Sequence, residues 1–160
     1  YEVERINLDC GIFSMYRDEA QDIVWFATDG QGAIIYSKDN YSLKTETFTM
    51  LHDKISKPVR AIFGDRENSL WIGTKGDGIL KYNNYNKSTT NTNSADLHTI
   101  KTGNSELKNN SVFAFANSNH DLFWIGSDGQ GLNYYSYKSK KIHTLKSRIP
   151  TNIMFIHSIF

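Results

Sequence analysis

The sequence predicts an all-β chain: a β-propeller segment of about three four-stranded antiparallel blades, with partial strands of the flanking blades at its two ends. Three observations carry that expectation. First, three tryptophans head copies of one pattern, IVWFATDGQGAIIY, SLWIGTKGDGILKY and LFWIGSDGQGLNYY. Counted from Trp25, Trp71 and Trp124, the third position is Thr28, Thr74 or Ser127 and the fifth is Gly30, Gly76 or Gly129. The seventh is Gly32, Gly78 or Gly131, and the eleventh is Tyr36, Tyr82 or Tyr135. The tryptophans recur 46 and 53 residues apart (71 − 25 and 124 − 71), the period of a four-stranded blade. Second, IVWFA, LWIG and LFWIG are apolar at successive positions, so both faces of these strands should be buried. Third, 13% aromatic residues and only 2 prolines suit a pleated, half-buried surface.

Each unit opens on an inner strand, expected at 12–17, 59–64 and 112–117. The second strand carries the tryptophan, and Asp-Gly or Lys-Gly turns the chain into a third. Asp29-Gly30 and Asp128-Gly129 predict two-residue turns with positive φ at both central residues. Lys75 suits that geometry poorly, so its turn should differ. Such short turns force antiparallel pairing, and strands apolar on both faces must then lie in sheets stacked between neighbours. Gly73 and Gly126, two residues after their tryptophans, should let a neighbouring aromatic ring approach closely. For the fourth strand, LHTIK (97–101) matches IHTLK (142–146), and 45–50 fills the same slot in the first unit.

The repeats therefore run approximately over 12–50, 59–101 and 112–146. Residues 1–8 read as the outer strand of a preceding blade and 153–160 as the inner strand of a following one. A ring cannot close on these elements, so the chain is expected to be a segment of a larger propeller. The polar run NNYNKSTTNTNSAD (83–96) reads as a solvated loop between third and fourth strands.

The pattern V-x-x-I-x-x-D-x-x-x-x-L-W-I-G-T-x-x-G-G-L-x-x-Y, nearest in residues 59–82, resembles the two-component regulator propeller repeat. Units one and three depart modestly: Phe26-Ala27 replaces Ile-Gly, Ser118 stands where Asp65 would, and every unit splits its glycine pair as Gly-x-Gly. WD repeats would show Trp-Asp, and sialidase Asp-boxes a Thr-Trp; neither is present. The resemblance implies a periplasmic sensor propeller ahead of a transmembrane helix and a histidine kinase, often followed by a response regulator with a helix-turn-helix. Its implied signal is an extracellular oligosaccharide. Its implied partners are the rest of the propeller and the kinase of the parent chain, and a homodimer is compatible with it. No catalytic activity is expected in this segment itself.

Composition excludes several other classes. With 39% hydrophobic and 22% charged residues the chain is globular rather than disordered. A net charge of +1 supplies no basic field, so nucleic acid is not an expected partner. No run approaches the roughly 20 apolar residues of a membrane span, and no N-terminal signal is visible. The lone Cys10 cannot form an internal disulfide and reads as a buried bystander. The five histidines, His52, His98, His120, His143 and His157, lack metal-ligand spacing, and His98 and His143 occupy equivalent slots in different blades. No cofactor is expected.

The remaining chemistry is weak. Asp29, Asp77 and Asp128 could be paired carboxylates for glycoside hydrolysis, which need roughly 5–10 Å separation, but each lies in its own turn, where aspartate is favoured on local grounds. No Gly-x-Ser-x-Gly elbow appears. The glycines of Asp-Gly-Gln-Gly lead into a strand, leaving no helix N-terminus to cradle a phosphate. The tryptophans, at one repeated mid-strand position, read as core instead of sugar platforms. Candidate ligand contacts are therefore Asp29, Gln31, Lys75, Asp77, Asp128 and Gln130 in the turns, with Tyr41 and Tyr85 as exposed stacking residues after third strands. Besides the sensor, a propeller enzyme (lyase or hydrolase) with catalytic groups in other blades, or a protein-interaction scaffold, fits the same residues.

Overall fold

The computed structural model describes residues 9–37, 42–44, 55–85, 97–118, 121–129 and 132–145. Blade one comprises β1 (Ile12–Asp18), β2 (Ile23–Thr28), β3 (Ala33–Ser37) and β4 (Ser42–Lys44). Blade two comprises β5 (Val59–Gly64), β6 (Leu70–Thr74), β7 (Ile79–Tyr82) and β8 (Leu97–Ile100). Blade three comprises β9 (Val112–Asn117), β10 (Leu122–Ser127), β11 (Leu132–Ser136) and β12 (Lys141–Thr144). Each blade is an antiparallel meander in chain order, and the first strand of each forms one edge of its sheet. These three edges gather on one side, with β1 beside β5 and β5 beside β9. Within the described residues the fourth strand of blade one is β4, which pairs with β3 from Ser37 opposite Ser42 to Ile35 opposite Lys44. Residues 45–50, 1–8, 153–160 and 86–96 of the polar loop lie outside the described residues.

The blades are stacked sheets glued by two apolar layers. Ile23, Trp25, Ala27 and Ile35 of blade one meet Val59, Ile62, Leu70, Ile72 and Leu80 of blade two. On its other face, blade two sends Trp71 and Ile79 against Val112, Phe123, Ile125 and Tyr135 of blade three. The middle strand β6 is thus buried along its whole length, which explains why LWIG does not alternate. Trp71 is fully enclosed, with the rings of Phe123 and Tyr135 edge-on at 4.9 and 4.7 Å. Trp124 corrects the expectation of a core tryptophan, because it is only half-buried. On its strand Phe123 and Ile125 turn toward blade two, while Trp124 turns to the far face, where it meets Tyr134. Among the described residues no blade covers that face.

The repeat brings its own partners for several polar groups inside the stack. Asp65, buried at the end of β5, accepts hydrogen bonds from the Trp71 indole Nε1 at 2.8 Å and from the backbone N–H of Glu67 and Ser69 at 2.9 Å each. Asp18 plays the same part in blade one, accepting from Gln21 N and Nε2 at 3.1 and 2.8 Å. It also accepts the hydroxyl of Tyr85, from blade two. Tyr85 is therefore no exposed stacking residue: it is buried, edge-on to Trp25, and it ties two blades together. Gly73 does make room for a neighbour, but the neighbour is Val112, whose side chain and carbonyl oxygen would both lie 2.9 Å from an added Cβ. Cys10 is half-buried instead of buried.

Two outcomes are expected. Trp71→Ala should cost on the order of 3–5 kcal/mol, and Trp124→Ala less than half as much, in urea melts of the two variants; equal losses would contradict the stacking order. Burial, followed by the charge of Glu67, pushes the Tyr135 hydroxyl up to about 12, and burial with Asp65 does the same for Tyr137. The folded state then holds protons that the unfolded chain releases near 10. The contribution of these two hydroxyls to stability should be constant below that pH and be lost as pH rises toward 12, with Tyr135→Phe flattening the decline in urea midpoints.

Candidate functional site

The turns between second and third strands are built by the Thr/Ser of the repeat. In blade one Thr28 N and Oγ1 donate to the Gly32 carbonyl at 3.0 and 2.7 Å, and Thr28 Oγ1 accepts from Gln31 N at 3.2 Å. Thr74 repeats this with Gly78, at 3.0 and 2.8 Å, and with Asp77 N at 2.9 Å. In blade three Ser127 Oγ donates to the Gly129 carbonyl and accepts from Asn133 Nδ2. Positive φ falls on Gly30 (98°), Gly32 (69°), Gly76 (119°), Gly78 (81°) and Gly129 (68°) and not on Asp29, Lys75 or Asp128. The expected two-residue turn with both central φ positive is thus corrected to a wider loop, with Thr28 and Gly32 closing over 29–31. Because the residue before the glycine keeps a negative φ, lysine serves there as well as aspartate.

These turns sit at the end where the inner strands begin. Asp29 N donates to the Gly11 carbonyl, Lys75 N to Pro58 and Asp128 N to Ser111, each at 2.9 Å. Blade two is also tied to blade three there, since Gly76 N and Gly78 N both donate to the Asn110 carbonyl at 3.2 and 2.8 Å. Of the residues proposed from sequence, Asp29, Gln31, Lys75, Asp77 and Asp128 come to this end. Asp29, Gln31 and Lys75 are exposed. Asp77 is engaged, accepting from Ser56 N and Oγ at 3.2 and 2.7 Å. Gln130, Gly131 and Tyr41 lie outside the described residues, and Tyr85 belongs with Asp18 at the opposite end.

Beside the turns, each inner strand carries a β-bulge one residue in. Register jumps from Ile12 to Ser14, from Val59 to Ala61, and between the partners of Ser127 and Gly126, namely Val112 and Ala114. The extra residues are Phe13, Arg60 and Phe113. A bulge re-aims its side chain off the regular pleat, and here three of them converge across three blades. The Arg60 Cζ lies 3.7 Å from the centre of the Phe13 ring and 5.5 Å from that of Phe113, a cation–π arrangement. Among the described residues no hydrogen bond or ion pair reaches its guanidinium, and its Nε is buried without a partner. Phe13 remains 40% exposed, leaving an aromatic face open beside a cation.

Sequence reasoning missed this trio, although a signal existed. Val59 and Ile62 are three residues apart yet face the same apolar layer, as do Val112 and Phe115. An unbroken strand, with period two, would send them to opposite faces; the V-x-x-I spacing therefore encodes the bulge.

A separate groove of about 500 Å³ opens between blades two and three, lined by Glu67, Trp71, Lys81, His98, Tyr135 and Lys140 among others. Burial lowers the pKa of Lys81, whose Nζ lies 3.5 Å from the Tyr135 hydroxyl and 4.9 Å from the Trp71 ring centre. Lys140 is paired with Glu67. The lysines of this groove are thus already partnered within the fold, whereas among the described residues no anion pairs with Arg60. Among the described residues no group of three His, Cys, Asp or Glu is placed to hold a metal ion, and no helix is long and apolar enough to cross a membrane.

Residues 53–76 match the family model for the two component regulator propeller. A histidine kinase of Formosa agariphila is 29% identical over 89 residues, which is 54% of this chain and 6% of that protein. Among solved structures, the chain resembles the extracellular domains of two proteins of B. thetaiotaomicron described as hybrid two component systems. One has a TM-score of 0.64 at 17% identity, covering 91% of this chain and 20% of that one. The other has a TM-score of 0.60 at 22% identity, covering 96% and 18%. At those identities the likeness is one of fold, and the chain spans about a fifth or less of each relative.

The turn geometry makes its own prediction. An added Cβ at Gly78, with φ +81°, would lie 2.2 Å from the Ile100 carbonyl oxygen, whereas Gly30, with φ +98°, has nothing within 4 Å. Both alanine variants carry backbone strain of about 1 kcal/mol or more. Gly78→Ala should cost clearly more than Gly30→Ala in thermal melts, and the reverse order would contradict the described contact between β7 and β8.

Proposed function

We propose that the chain is a ligand-sensing segment of an extracytoplasmic propeller in a two-component histidine kinase, with an oligosaccharide as its signal. The observation that carries this reading is the Phe13–Arg60–Phe113 trio at the turn-bearing end of the inner strands. Sugars present apolar C–H faces that stack on aromatic rings and hydroxyls that take hydrogen bonds from cationic donors. An exposed phenyl ring beside a guanidinium that has no hydrogen-bond or ion-pair partner among the described residues offers both. The regulator-propeller match, the kinase relative and the fold shared with extracellular domains support the sensor setting and an extracytoplasmic location.

In this reading the segment performs no chemistry. Three residues on three separate blades touch one ligand, so binding favours whichever inter-blade arrangement brings them together. A ligand can shift a conformational equilibrium only by its differential affinity for the two states, and a site shared between blades supplies that difference. The signal would pass to the kinase as a changed arrangement of the propeller or of a dimer.

Equilibrium titration of the full protein against a panel of neutral and acidic glycans tests the reading. At least one glycan should bind, and Phe13→Ala should weaken it about tenfold, roughly the 1–1.5 kcal/mol of a lost ring contact, with an unchanged melting curve. A panel without a binder, or accumulation of a cleaved product, would favour the scaffold or enzyme readings instead.

A further inference from the structure

We infer that the ligand read at this end carries a carboxylate, held by Nη1 and Nη2 of Arg60, so that the oligosaccharide is a uronate-containing one. This rests on the oligosaccharide reading above and narrows its class. The argument begins with what the two phenyl rings leave undone. A ring lying over the guanidinium plane attracts its charge, but it accepts none of the in-plane N–H bonds. The in-plane edge of Arg60 is left for an acceptor, and among the described residues none meets it. Nε is buried without a partner, so the terminal nitrogens are the donors a ligand encounters.

The same fold shows what such an arrangement looks like when complete. Arg66 lies over the Tyr137 ring with its Cζ 4.1 Å from the ring centre, and its Nη2 meets Asp121 Oδ1 at 2.9 Å. Stacking face and carboxylate are both present there. Lys140 likewise has Glu67. Arg60 has one ring nearer than the Tyr137 ring is to Arg66, a second beyond it, and among the described residues no carboxylate. The acids on the neighbouring turns do not supply one: Asp77 is bonded to Ser56, and neither Asp29 nor Asp128 forms an ion pair with Arg60. Exposed Lys75 adds a second positive charge at the same end. A planar fork beside two aromatic rings suits a carboxylate best, because the bidentate pair is charge-assisted and fixed in geometry. Hydroxyl-only sugars leave that fork unneutralised.

The test uses the full protein with oligogalacturonate, oligoglucuronate and oligomannuronate, their methyl esters, and neutral oligosaccharides of equal length. One of the acids should bind at least tenfold more tightly than its ester, and added salt should weaken the acid selectively. Arg60→Met, with a melting curve like that of the parent protein, should erase the preference, while Arg60→Lys should restore only part of it. An ester binding as well as its acid, or a neutral glycan binding while every acid fails, overturns the carboxylate inference and leaves the oligosaccharide reading standing. Failure of every glycan overturns both.

Discussion

A four-stranded meander whose strands are apolar on both faces cannot rest in water on either side, and this constraint governs the rest of the molecule. Blade two meets it completely, with Leu70 and Ile72 turned to one neighbour and Trp71 to the other. Fully burying one such side chain is worth roughly 1.5–3 kcal/mol, so a blade draws most of its stability from sheets that are not its own. The small residues follow from the same demand. Gly73 keeps β6 bare where Val112 of the next blade presses against it, and the sheets come close enough for aromatic rings to meet edge-on.

Close stacking leaves little room for unsatisfied polar groups, since a buried donor without a partner costs about 1–3 kcal/mol. The repeat answers with two side chains per unit. An aspartate at the end of the inner strand gathers the N–H groups of the following turn, and in blade two the indole as well. A threonine at the end of the second strand closes the next turn on itself. Where blade three replaces these with Ser118 and Ser127, the closure is looser: Ser127 reaches the Gly129 carbonyl only at 3.4 Å. Of the candidates named from the sequence, Asp77 and Tyr85 thus serve the scaffold.

That explains which features were legible beforehand. Repetition of Trp, Gly and Tyr disclosed the blades, because each copy answers the same packing problem and sequence records the answer three times. Tyr85 was misjudged because its burial depends on Asp18, 67 positions away, and no local pattern announces such a contact. Trp124 was misjudged for the opposite reason: the pattern is local and identical, but burial is decided by what stacks on the face. The bulged trio escaped notice because Phe13, Arg60 and Phe113 do not share a residue type. Their likeness is one of register, visible only in the three-residue spacing of the apolar positions around them.

The bulges also bear on how the sheets stay separate. An inner strand is a free edge, and the backbone N–H and C=O groups along a regular edge are a template on which another strand can pair. Three such edges, side by side, are open to zipping into one continuous ladder or to capturing strands from other molecules. An extra residue in each breaks the spacing of those groups near the strand start and twists the edge away. The device that carries Arg60 toward two phenyl rings therefore also guards the chain against aggregation, which makes regularising these strands a hazard to solubility as well as to recognition.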